Sequence, residues 1–104
     1  MSERRRVPRC AFGGVAEITT VHPNTYLLVS TAELSRFGCF VTTCATMPMG
    51  TVVGLKITFE GCVFSATGEV TYVLSEKGMG IKFTTTAPND VALLEAWLGR
   101  QTKF

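Results

Sequence analysis

Six residues near the start of the chain, Arg4-Arg5-Arg6-Val7-Pro8-Arg9, hold four guanidinium groups. A guanidinium is a rigid, planar fork of donors that suits phosphate oxygens and the O6/N7 edge of guanine. The chemistry on offer is recognition of an anion, and a phosphate-bearing partner comes first. The first nine residues set these four arginines against Glu3, a net of +3, while the rest of the chain carries six basic and seven acidic side chains. The formal +2 of the whole is therefore the charge of a short N-terminal arm and not of the body. Taken alone, such a run also fits a solubilising terminus.

A second constellation is Glu33-Leu34-Ser35-Arg36-Phe37-Gly38, between two expected strands. Ser35 and Gly38 suit a tight connection, where a hydroxyl bonds to backbone and glycine adopts positive φ. Taken alone, it also fits a plain turn. Other chemistry is thin. His22 is the only histidine, beside Pro23 in an apparent turn. Cys10, Cys39, Cys44 and Cys62 form no CxxC pair, so a metal site is discounted. Cys39 and Cys44 are five apart and would face opposite ways on one strand. Small buried thiols in a reducing compartment fit this usage. No glycine-rich loop leads from a strand into a helix, and no Ser or Cys has an obvious base partner. Glu17, Glu60 and Glu69 are dispersed and read as solvent-facing. The expectation is a binding protein with no enzymatic activity, metal or cofactor.

The elements that position these residues are mostly strands. The chain has 104 residues, 46% of them apolar, enough for one domain with a core. No apolar run reaches the length of a membrane span, and no apolar stretch follows the arginines as in a signal peptide. A cytoplasmic location is the default. Val53, Leu55, Ile57 and Phe59 alternate with polar neighbours, as do Met79, Ile81 and Phe83. Phe64, Ala66, Val70, Tyr72 and Leu74 are expected to share one face. Less regular strands are expected at about 11–19, 25–31 and 38–44. Turn signals stand at His22-Pro23-Asn24, Pro48-Met49-Gly50, Glu60-Gly61 and Ser75-Glu76-Lys77-Gly78. Six short strands with turns this close predict an all-β fold, a small six-stranded antiparallel barrel. A C-terminal helix is expected from Pro88 to about Gly99, with Val91, Leu94, Trp97 and Leu98 facing the barrel. Trp97 reads as a core anchor.

The order of these features resembles the PilZ domain family. Arg5-Arg6-Val7-Pro8-Arg9 matches its RRxxR motif, and Ser35 and Gly38 match its [D/N]xSxxG motif. Gly78-Met79-Gly80-Ile81-Lys82-Phe83 is similar to its last strand, and Pro88 to Leu98 to its terminal helix, with Ala87 where a capping serine is usual. Glu33 departs from the family's Asp or Asn, keeping the charge and adding a methylene. The resemblance implies a flexible basic arm over residues 1–10 and a barrel domain over 11–104. It also implies a receptor for cyclic di-GMP, a bacterial second messenger, with Arg5, Arg6, Arg9, Glu33, Ser35 and Gly38 as ligand-binding residues. Arg5 and Arg9 would grip phosphates and guanine edges, and Arg6 would add charge or stacking. Glu33 and Ser35 would meet a guanine. The arm would order on the ligand, and an effector protein would receive the signal in trans. One alternative is a PilZ-like adaptor of pilus or flagellar motility that binds no nucleotide. Another is a small nucleic-acid-binding barrel, which would need exposed aromatics on a strand face. Most aromatics are assigned inward faces, Phe12, Phe37 and Phe40 excepted, so no DNA or RNA is expected.

Overall fold

The computed structural model of the chain describes residues 10–11, 13–20 and 25–101. The four N-terminal arginines, Phe12 and the His22-Pro23-Asn24 turn lie outside the described residues. Seven strands and one helix follow in order: β1 (Cys10–Ala11), β2 (Val15–Thr20), β3 (Thr25–Leu34), β4 (Gly38–Thr42), β5 (Val52–Phe59), β6 (Cys62–Leu74), β7 (Gly78–Thr85) and α1 (Pro88–Gln101). Strands β3, β2, β5, β6, β7 and β4 are neighbours in that order, and β4 pairs back onto β3. Every pairing is antiparallel, so six strands close the barrel. The two-residue β1 adds to the edge of β3. Closure removes the exposed sheet edges through which β proteins aggregate.

The regular strands obey their alternation. Val53, Leu55 and Ile57 of β5 are buried, as are Met79 and Ile81 of β7. Glu60 and Gly61 both take positive φ (53° and 80°) between the paired Phe59 and Cys62. This is the two-residue hairpin whose twist matches that of the strands. β6 departs from its expected face. Phe64 and Val70 are fully buried, but Tyr72 is only half-buried and Leu74 is exposed. The cause is a bulge: Val70 pairs with Ile81 and Tyr72 with Gly80, leaving Thr71 as an extra residue. One extra residue inverts the faces beyond it, so Val73 turns toward the core in place of Tyr72.

Helix α1 begins at Pro88, whose missing N–H costs nothing in a first turn. Asp90 accepts a hydrogen bond from the Ser65 N–H at 3.0 Å and ties the helix start to β6. Leu94 and Trp97 are buried, with Trp97 edge-on to Phe59 (centroids 5.6 Å) and tilted against Phe64. Truncating Trp97 to alanine would cost about 3–5 kcal/mol. Val91 is exposed, contrary to the expected stripe, and Leu93 packs on the core with Leu98. The cysteines also differ from expectation. Cys39 is buried, but Cys44 and Cys62 are exposed, and Cys44 lies beyond the end of β4.

Candidate ligand-binding site

The stretch Glu33 to Gly38 is not one turn. Glu33 and Leu34 still belong to β3, and only Ser35, Arg36 and Phe37 connect it to β4. Thr31 and Leu34 are both fully buried, three apart, which simple alternation forbids. A bulge resolves this. Thr31 pairs with Val41 and Glu33 with Phe40, leaving Ala32 as an extra residue. The bulge puts Leu34 into the core and Glu33 on the outer face, half-buried. Bulges beside functional sites commonly re-aim a side chain in this way.

The short connection is held by its own groups. Ser35 N–H donates to the Gly38 carbonyl at 2.8 Å, and Phe83 N–H donates to the Phe37 carbonyl at 2.8 Å. The Ser35 hydroxyl donates to the Gly38 carbonyl and accepts from the Phe37 N–H, each at 3.3 Å. A hydroxyl has one donor and two acceptor positions, so Ser35 keeps one acceptor for anything beyond the turn. Arg36 pairs with Glu95 of α1 at 3.1 Å, fastening the connection to the helix. Both partners are about half exposed, so the pair contributes at most about 1 kcal/mol. Gly38 does not have positive φ, unlike Gly50 and Gly61. It is required for another reason: a Cβ there would collide with the backbone carbonyl of Ile81. The expected role of Gly38 in a positive-φ turn is thus replaced by close approach of β4 to β7.

Glu33, Ser35 and Gly38 line one cavity of about 190 Å³, whose wall also carries Phe37, Phe40, Thr71, Tyr72, Gly80 and Lys82. That volume is more than ten times the ~10–15 Å³ needed to house one water, so the concavity suits part of a ligand. Lys82 is exposed on β7, where Gly38 of β4 and Glu69 of β6 are its cross-strand partners. It supplies an ammonium to the wall that Glu33 supplies with a carboxylate. Lys82, Thr71 and Gly80 belong to neither motif, and Tyr72, expected inside, faces out. The sequence signal for this wall is Gly78-Met79-Gly80: two glycines on the outward face of a strand leave room for neighbouring rings to lie on. Arg5, Arg6 and Arg9 lie outside the described residues. The strand that begins right after Arg9 is described, however, and it pairs Cys10 with Leu34 and Ala11 with Glu33.

Cys39, on the inner side of β4, is buried, and burial pushes its thiol up to about 12. A thiol this reluctant to ionise is no nucleophile. Among the described residues no group of His, Cys, Asp and Glu could hold a metal ion.

A family model of the PilZ domain matches residues 3–100. The chain belongs to the PilZ domain family. PilZ domains are binding and adaptor modules. Solved structures share the barrel. The Bacillus subtilis inhibitor of motility, MotI/DgrA, superposes with a TM-score of 0.76 at 21% identity, covering 95% of this chain and 51% of that one. The chain thus spans about half the length of that protein. The PilZ domain of YcgR from Escherichia coli, solved with cyclic di-GMP, gives 0.77 at 14% identity, covering 95% and 92%. MrkH from K. pneumonia, in its cyclic di-GMP complex, gives 0.75 at 17% identity, covering 94% and 52%. No curated protein matches the chain by sequence. Among the described residues no helix is long and apolar enough to cross a membrane.

Proposed function

We propose that this PilZ domain is a receptor for cyclic di-GMP. The ligand draws the arm, residues 1–10, onto the barrel body, residues 11–104, and the resulting surface signals to a partner protein in trans. A receptor for a bacterial second messenger works in the cytoplasm. The observation that carries the reading is the pairing of β1 with the Glu33–Leu34 end of β3. The RRxxR motif ends one residue before a strand held beside the second motif, whose Glu33, Ser35 and Gly38 share one cavity wall. The cyclic di-GMP complexes of two proteins with this barrel support the choice of ligand.

The roles follow from donor and acceptor chemistry. Arg5 and Arg9 grip phosphate oxygens and the Hoogsteen edges of guanine, and Arg6 adds charge or stacking. Glu33 accepts from guanine N1–H and the exocyclic amino group. Ser35 offers its one remaining acceptor. Gly38 keeps the connection down against β7 so that the ring can approach. Lys82 adds a cation for a phosphodiester oxygen. Charge-assisted contacts of this kind contribute roughly 1.5–3 kcal/mol each, less the cost of ordering the arm.

One observation favours a second reading. Glu33 stands where the family motif has Asp or Asn, which fits an adaptor that works by protein contact without nucleotide. Calorimetric titration of the chain with cyclic di-GMP separates the two, with single-stranded DNA run in parallel at low salt. Saturable heat with cyclic di-GMP and none with DNA is expected. No binding of cyclic di-GMP overturns the receptor reading in favour of the adaptor. Binding of DNA alone makes the chain a nucleic-acid-binding barrel.

A further inference from the structure

One row of residues crosses four strands on the outside of the barrel. Glu33 on β3 faces Phe40 on β4, Phe40 faces Gly80 on β7, and Gly80 faces Tyr72 on β6. The two rings flank the one member of the row without a side chain. They stack on each other, with centroids 6.0 Å apart and planes 22° from parallel. A Cβ on Gly80 would collide with the Tyr72 ring, and one on Gly78 with the Val41 carbonyl and the Phe40 ring. The rings therefore lie across β7 instead of standing off the sheet. Thr71, the bulge residue, donates its hydroxyl to the Gly80 carbonyl at 3.4 Å and fixes the strand that carries Tyr72. Both rings are half-buried, and both line the cavity beside Ser35 and Gly38. A bulge that turns a tyrosine out of a core and lays it beside an outward phenylalanine leaves apolar surface in water that the alternating strand would have buried.

We propose that Phe40 and Tyr72 form a stacking ledge for one guanine of the ligand, setting the plane of the base whose edge Glu33 meets from the same row. This inference rests on the cyclic di-GMP reading. Stacking on aromatic side chains is strong and tolerant of base identity, because every base has a π face. Rings already stacked on each other in the space that Gly78 and Gly80 leave lose less freedom on binding than free side chains would. The ledge divides the labour of recognition. Tyr72 and Phe40 supply affinity that does not depend on which purine is present, and Glu33 supplies the discrimination.

The test is titration of the full chain and of its Tyr72→Leu, Phe40→Leu and Tyr72→Trp variants with cyclic di-GMP. Near-ultraviolet circular dichroism checks each fold, and an NMR experiment seeks cross-relaxation between the Tyr72 ring protons and guanine H8. Tyr72→Leu should weaken binding by about five- to hundredfold, with Phe40→Leu in the same direction, and Tyr72→Trp should recover most of the affinity. The Tyr72–H8 contact should appear in the parent complex. If the parent binds while both leucine variants bind equally well and no Tyr72–H8 contact is seen, the ledge is wrong and the receptor reading stands. If the parent does not bind, both fall together. Should a leucine variant fail to fold, the Tyr72–H8 contact in the parent decides the matter by its presence or absence.

Discussion

Ser35 illustrates how a motif residue divides its groups between the fold and a ligand. Its donor and one acceptor are occupied within the connection it sits in. Replacing it would therefore disturb the Ser35–Gly38 geometry as well as any base contact. Glu33 is the more informative residue, because its bulge frees it from the ladder's usual parity. The extra methylene relative to Asp moves the carboxylate outward and adds a rotor to order. Glu33→Asp should leave the fold intact and bind cyclic di-GMP as well as or better than the parent. Glu33→Ala should bind worse, since guanine donors are left unpaired, and should discriminate less against cyclic di-AMP. Calorimetry with both dinucleotides checks this, and indistinguishable affinity and selectivity across the three proteins would make Glu33 an ordinary strand carboxylate. In the arm, Arg5→Ala and Arg9→Ala should each weaken binding about tenfold or more, given ~1.5–3 kcal/mol per contact. Arg4→Ala should do less, because it lies outside the RxxxR spacing. Equal losses at all three would reduce the motif to diffuse charge. The structure brings Glu33, Ser35 and Gly38 of the second motif onto one wall. The sequence could not show that Gly38 is needed for contact with the Ile81 carbonyl, since that contact joins residues 43 apart.

At the scale of elements, two single-residue bulges shape the site. Ala32 carries Glu33 outward on β3, and Thr71 carries Tyr72 outward on β6. Period-two alternation made β5 and β7 legible, and the same rule misplaced Tyr72, because a bulge is set by the partner strand and leaves no mark in its own sequence. Val91 failed for a similar reason: which side of an amphipathic helix meets a barrel depends on what the barrel offers. The glycines of β4 and β7 make this testable. Gly38→Ala would drive a Cβ into backbone, whereas the atoms nearest a Cβ at Gly80 belong to the Tyr72 ring, a side chain that can give by a smaller rearrangement than backbone. Gly38→Ala should lower the stability to urea by about 2 kcal/mol or more, and Gly80→Ala by less. The reverse order would show that the Tyr72 ring is more firmly held than β4. Cys39 adds a pH signature. Its thiol rises from 9.0 to about 12 in the fold. A pKa raised in the folded state favours folding below the unfolded value and loses that contribution as pH climbs through the folded one. The urea midpoint of the parent should thus fall between pH 9 and 12 more steeply than that of Cys39→Ala. Mass-resolved alkylation at neutral pH should modify Cys44 and Cys62 quickly and Cys39 only on unfolding.

For the whole molecule, the closed barrel with its C-terminal helix was readable because the turns are marked by Gly and Pro and the apolar alternation of β5 is unbroken, although β3 and β6 run to 10 and 13 residues. The site was readable only in its motifs. Its floor is made from Phe40, Gly80 and Tyr72, which come from three strands and meet only after closure. Charge is divided in the same way at the largest scale, with a +3 arm attached to a body of six basic and seven acidic side chains. The central claim is that arm and barrel wall meet over one bound dinucleotide. A two-dimensional NMR titration of the labelled chain with cyclic di-GMP tests it most directly. The shifts should concentrate at residues 4–11 and at Glu33, Ser35, Gly38, Phe40, Tyr72, Gly80 and Lys82, while Glu17, Lys56 and Thr67 on another stretch of the wall stay still. Saturable shifts confined to those latter residues, or no shifts at all, would contradict the account.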